Sequence, residues 1–143
     1  MIIKQVSVVI DEQTYSLAKM MKTLADRSIE IMGMTVHKSN DFTIVRLLAN
    51  NILWTSSALW EVGFTANPSD AVAIALTNEP DGMSKVLDVL EKTGNSIKYM
   101  YMINSTKFHV HIAVMSLEDN EAAVSALEAA GIRTIGQNEL SSL

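Results

Sequence analysis

Polar and apolar positions alternate along this chain in short, well-punctuated runs. Residues 3–10, IKQVSVVI, are rich in Val and Ile and read as a strand. Leu17, Met20, Met21, Leu24 and Ala25 recur at the spacing of one helix face, which predicts a helix over 16–28. IEIMGMTVH (29–37) reads as a second strand, the polar KSND as a turn, and FTIVRLLA (42–49) as a third strand. Asn50 and Asn51 are placed to cap a helix that Gly63 ends, and a short strand near 64–66 is expected before Asn67-Pro68.

The same order then recurs. DAVAIALT (70–77) is a strand, and Met83, Val86, Leu87 and Leu90 mark a helix stopped at Gly94. IKYMYMIN (97–104) and FHVHIAVM (108–115) are strands about the turn NSTK, LEDNEAAVSALEAAGI is a helix ending at Gly131, and RTI (133–135) is a last strand. A shift of 66 residues lays Val6 on Val72, Leu17 on Met83, Leu24 on Leu90, Met34 on Met100, Ser39 on Ser105 and Phe42 on Phe108; after the third strand the shift is 68, laying Gly63 on Gly131. The chain is therefore a tandem repeat, residues 1–68 and 69–143, each copy reading β-α-β-β-α-β. That order is the ferredoxin-like split βαβ plan: α+β, a four-stranded antiparallel sheet with both helices on one face. Strands such as IKYMYMIN and FTIVRLLA are apolar at both phases, so the second sheet face is expected to be covered by the other repeat or by another subunit.

Composition narrows the class. The chain of 143 residues is 48% hydrophobic and 19% charged, which marks a globular protein. A net charge of −5 argues against nucleic acid, which needs a basic face. No cysteine is present, and the N-terminus MIIKQVSVVI holds no run long enough for a signal peptide or a membrane span, so a cytoplasmic protein is expected.

VSVVIDEQTYSLAKMMKTLADRSIEIMGM with DFTIVRLL in the first copy, and IALTNEPDGMSKVLDVLEKTGNSIKYMY with ALEAAGIRTI in the second, resemble the ACT domain, and in particular short bacterial proteins made of two such domains. The resemblance implies a regulatory protein that binds an amino acid or other small metabolite at the loop between the first strand and first helix, in a homodimer acting on a separate regulated protein. The family's loop runs acidic-or-Asn, variable, Pro, Gly, variable, Leu. Set on Met83, this chain keeps Asn78 and Pro80, has Asp81 where Gly is usual, and has Gly82 next. Set on Leu17, the first copy has Glu12, Gln13, Thr14, Tyr15 and Ser16, with neither Pro nor Gly. The implied ligand-binding residues are Asp11, Glu12, Gln13, Thr14, Tyr15 and Ser16 in one loop, and Asn78, Glu79, Pro80, Asp81, Gly82 and Met83 in the other.

The chemistry of these loops admits two readings. A helix N-terminus presents N–H groups and a positive dipole to a carboxylate, Gly allows close approach, and Asn78, Glu79 and Asp81, or Asp11 to Ser16, offer acceptors to an ammonium group. Alternatively Asp81 caps its helix and fills that seat with its own carboxylate, and Ser16 or Thr14 caps the first helix of the first copy with its hydroxyl. Tyr15 either walls a pocket or covers the local core. His109, His111 and His37 are too few for an expected metal site, and no cofactor is implied. Arg46 reaches a carboxylate or solvent. In NNILWTSSALWEVG the core stripe leaves at least one of Trp54 and Trp60 off it.

Among functions, a non-enzymatic sensor leads, with no catalytic residues. A structural or interaction module with degenerate ligand sites is the alternative, ahead of a small isomerase or mutase, for which no nucleophile–base signature or phosphate loop is present.

Overall fold

The computed structural model describes residues 1–11, 17–105 and 109–140. It divides into two compact units: Lys4–Ser69, and Asp70–Leu143 together with Met1–Ile3.

The first unit holds β1 (Ile3–Ile10) from Lys4 onward, α1 (Leu17–Asp26), β2 (Ile31–Lys38), β3 (Thr43–Ala49), α2 (Ile52–Glu61) and the first half of β4 (Thr65–Leu76). Strands run in the order β2-β3-β1-β4. β3 pairs antiparallel with both neighbours, setting Leu47 between Val6 and Met34, and Val45 between Val8 and Val36. Beside β1, the hydroxyls of Ser7 and Ser69 lie 2.8 Å apart. Alternate residues of β1 and β3, among them Val6, Val8, Val45 and Leu47, form one core with Met20 and Leu24 of α1 and Ala58 and Leu59 of α2. A strand face has a period of two, so this core places both helices on one side of the sheet.

The second unit repeats the plan with the rest of β4, α3 (Gly82–Lys92), β5 (Ile97–Ser105), β6 (Val110–Leu117), α4 (Asn120–Ala129) and β7 (Thr134–Ile135), followed by a short α5 (Gln137–Leu140). β4 lies between β6 and β7, and β5 lies outside β6, all antiparallel. Val72, Ile74, Leu76, Ala113, Met115 and Leu117 meet Val86 and Leu90 of α3 and Ala123 and Leu127 of α4. The predicted α+β repeat of two βαββαβ units is thus the observed fold.

Three details depart from the sequence reading. Two strands expected on either side of Asn67-Pro68 are one 12-residue strand, β4. Proline is tolerated in a strand where no ladder donor is required, and Pro68 is exposed. β6 runs over Val110–Leu117 rather than 108–115, and Phe108 lies outside the described residues. α5 was not expected; its four residues, Gln137–Leu140, are too few to show a period.

Helix ends follow local chemistry. Asn51 and Asp119 have extended backbones, and their side-chain oxygens accept from the backbone N–H of Trp54 and Ala122, each at 3.0 Å. Gly63 and Gly131 adopt φ +94° and +79° just past α2 and α4, which a side chain would resist.

Candidate functional site

The loop from Thr77 to Asp81 links β4 to α3. Within it Asn78 donates through Nδ2 to the carbonyl of His109 at 3.1 Å, which ties the loop to the β5–β6 hairpin. Glu79 accepts from the backbone N–H of Gly82 through its carbonyl at 3.1 Å. Pro80 is exposed, and Met83 is half-buried and packs on the second core.

Asp81 stands at the N-cap position but does not cap. Its φ of −95° and ψ of 8° differ from the extended backbone of Asn51 and Asp119, and its side chain makes no cap hydrogen bond. Its carboxylate lies 3.3 Å from Lys85 Nζ, one turn along, and Glu79 lies at the same distance from that ammonium. The hydrogen bond that Lys85 donates to Asp81, then the one it donates to Glu79, holds the pKa of its ammonium above the usual value, so it stays charged throughout the neutral range. Of the two readings of Asp81, the one in which it caps its helix is not what the structure shows: an N-cap needs a backbone in the β region to aim its oxygen at the N2 or N3 amide.

Gly82 is buried, and a Cβ built on it would lie 2.9 Å from both the carbonyl and hydroxyl oxygens of Thr77. The glycine therefore lets the first turn of α3 close down on the end of β4. The helix start forms one wall of a cavity of about 410 Å³. Ala75, Leu76 and Thr77 line it from β4 and beyond, Gly82, Lys85 and Val86 from α3, Val110 from β6, and Ala130 to Arg133 from the segment after α4. Arg133 donates through Nη2 to Glu139 Oε2, and Glu139 Oε1 accepts from the N–H of Gly136 at 3.3 Å.

The first unit has a cavity in the corresponding place, about 520 Å³, lined by Val9, Asp11, Asp41, Phe42, Gly63 and Thr65. The repeat shifts of 66 and 68 set Val9 on Ala75, Asp11 on Thr77, Gly63 on Gly131 and Thr65 on Arg133. The two cavities thus occupy the same place in each copy, and among the described residues two aspartates line one, a lysine and an arginine the other.

Of the twelve residues singled out in the sequence, Asp11 lines the first cavity and Gly82 the second. Asn78, Glu79 and Asp81 brace the loop and Lys85 beside it. Glu12, Gln13, Thr14, Tyr15 and Ser16 lie outside the described residues. Sequence reading passed over Lys85 and Arg133. Lys85 had a signal, since it follows Asp81 by four residues on a helix. Arg133 had none, because only the pairing of β7 with β4 carries it there. Its own carbonyl accepts from the N–H of Ala75 at 3.0 Å. Among the described residues no three His, Asp or Glu side chains converge as metal ligands, and no helix is long and apolar enough to cross a membrane.

The chain is similar over its whole length to a solved structure of a Bacteroides thetaiotaomicron protein, at 24% identity, 98% coverage of that chain and a TM-score of 0.89. It is also similar to the regulatory subunits of aspartate kinase from Thermus thermophilus and Thermus flavus, at 21% and 22% identity. Each of these comparisons covers 91% of this chain, with 97% and 95% of the Thermus chains and TM-scores of 0.60 and 0.55. At these identities the likenesses speak to fold. No curated protein matches the sequence. Residues 1–142 match the family described as the ACT domain pair, and the chain belongs to that family.

Proposed function

We propose that this chain is a non-enzymatic regulatory protein that binds a small molecule, an amino acid by chemistry, in the cavity at the start of α3. One observation carries the reading: a cavity of about 410 Å³ with apolar walls and two cations sits beside an N-terminus that its own aspartate leaves uncapped. That volume lies within the roughly 300–1,000 Å³ of ligand sites, and such sites combine apolar walls with a few placed polar groups. Membership of the ACT domain pair family supports a regulatory role. The Thermus structures of similar fold are regulatory subunits of aspartate kinase, and by analogy this chain acts on a separate enzyme. We place it in the cytoplasm as a homodimer, with binding favouring one arrangement of the assembly; this requires different affinities for the two states.

The test is thermal unfolding of the full chain against a panel of the common amino acids, organic acids and nucleotides. A ligand at about 100 times its Kd adds about 2.7 kcal/mol to stability. For a chain of this size that is a rise of several degrees in Tm. A flat response from folded protein across the whole panel would sink the reading in favour of an interaction module without a ligand.

A further inference from the structure

We propose that the outer face of α2 is a self-docking surface, where a second copy of this chain packs α2 against α2 about a twofold axis. This gives the homodimer proposed above its contact, rests on that reading, and does not depend on the ligand site. Leu53, Trp54 and Trp60 are exposed on a helix that buries Thr55, Ser56, Ala58 and Leu59. The fold does not require apolar residues there. The 68-residue shift sets Leu53 on Glu121 and Trp60 on Glu128, both exposed on α4, so the second repeat builds the same helix with carboxylates at these places. A cluster of exposed Trp and Leu on one copy alone marks a contact surface rather than a need of the fold.

The pattern is complementary to itself. Leu53, Ser57 and Trp60 stand at i, i+4 and i+7, and Trp54, Ser57 and Glu61 at i, i+3 and i+7, so two stripes share the exposed Ser57. Leu53 and Trp60 lie about 10 Å apart along the helix. With the second copy antiparallel about an axis beside Ser57, Leu53 of each copy meets Trp60 of the other, and the small serine stands where the helices cross. The charge suits a like partner. Glu61 is the only charged residue of α2, and Arg27 Nη2 neutralises it at 2.9 Å, so two such faces bring no unpaired like charge together. Trp60 is also held in place by its indole N–H on the Ala66 carbonyl, so little rotamer freedom is lost on docking. The three exposed side chains leave roughly 300 Å² uncovered, against about 800 Å² per partner in a standard interface. They form an apolar centre rimmed by polar neighbours such as Asn50 and Glu61, and the dimer is weak and exchanges with monomer.

Sedimentation velocity of the full chain over about 1–500 µM tests this. The sedimentation coefficient should rise from monomer toward dimer. Tryptophan emission should move to shorter wavelength along the same isotherm, because both tryptophans of the chain lie on this face. Leu53→Glu, which copies the second repeat, should weaken association about tenfold or more with the fold intact. The chain has no cysteine, so Ser57→Cys introduces a single thiol. Oxidised glutathione should link that variant into a covalent dimer, since an axis beside Ser57 sets the two thiols within disulfide reach. Ser125→Cys, the same place on α4, should stay unlinked. A chain that remains monomeric throughout overturns this inference and the homodimer together. A dimer that Leu53→Glu leaves intact, whose tryptophan emission does not move, or that links through Ser125→Cys as readily as through Ser57→Cys, overturns the α2 contact and leaves the homodimer standing. Should Leu53→Glu fail to fold, the two cysteine variants still decide.

Discussion

Asp81 and Asp119 stand in the same place ahead of a helix, yet their carboxylates have different partners. Asp119, on an extended backbone, accepts from Ala122 N–H at 3.0 Å, while Asp81 pairs directly with Lys85 at 3.3 Å on the exposed surface. Replacing a working cap with Ala costs about 1 kcal/mol. An exposed ion pair contributes about 0–1 kcal/mol, and usually toward the low end. Urea unfolding should therefore show Asp119→Ala destabilised by about 1 kcal/mol and Asp81→Ala by less than about 0.5 kcal/mol. The reverse order would mean that Asp81 caps α3 in solution. The neighbouring glycine gives a second expectation. A methyl on Gly82 meets the backbone carbonyl of Thr77 at 2.9 Å, and a backbone atom cannot swing aside as a side-chain tip does. Gly82→Ala should cost about 1–3 kcal/mol despite the better helix propensity of Ala, as overpacked sites do. A neutral or stabilised variant would show that the first turn of α3 has room.

Among the elements, α2 carries its apolar side chains on more than one face. Leu53, Trp54 and Trp60 are 76%, 46% and 53% exposed, so both tryptophans lie off the core stripe, where at least one was expected. Trp60 has local work: its indole N–H donates to the carbonyl of Ala66 in β4. Trp60→Phe keeps most of the ring and removes that donor, so a loss of about 0.5–1.5 kcal/mol is expected. A variant as stable as the parent would assign the bond no net weight. Helices and strands were legible wherever a period ran for two turns or more, as in Leu17, Met20 and Leu24, and wherever Asn51 or Gly131 punctuated an end. β4 was misread because Asn67-Pro68 is a strong local turn signal that tertiary pairing overrides. α5 is shorter than any period, and the distinction between Asp81 and Asp119 depends on φ and ψ, which residue type does not report.

At the scale of the whole chain, the repeat was legible because two copies of one hydrophobic order support each other, but the composition of the cavities was not. Each is assembled from a strand end, a hairpin and the segment after the second helix, and only antiparallel pairing brings Arg133 beside Leu76 and Val86. The same holds for the chain's first residues. Met1–Ile3 precede β1 or begin it, yet they belong to the compact unit of Asp70–Leu143. Ile2 packs on the core of Val72, Leu90 and Leu127, and the Met1 side chain lies where a Cβ on Gly136 would stand, 2.8 Å from its methyl. The second repeat is thus completed by residues from the other end of the sequence, with a long chain separation between the parts. Ile2→Ala removes half-buried apolar surface and should cost about 1–2 kcal/mol, below the 2–5 kcal/mol of a fully buried site. Its signature is regional rather than global: amide exchange should quicken in α4 and β7 while α1 and α2 keep their protection, because locally opening units exchange at their own free energies. Equal loss of protection in α1 and α2 would show that the two units open as one. Unchanged exchange in α4 and β7 would show that the first three residues do not stabilise the second repeat.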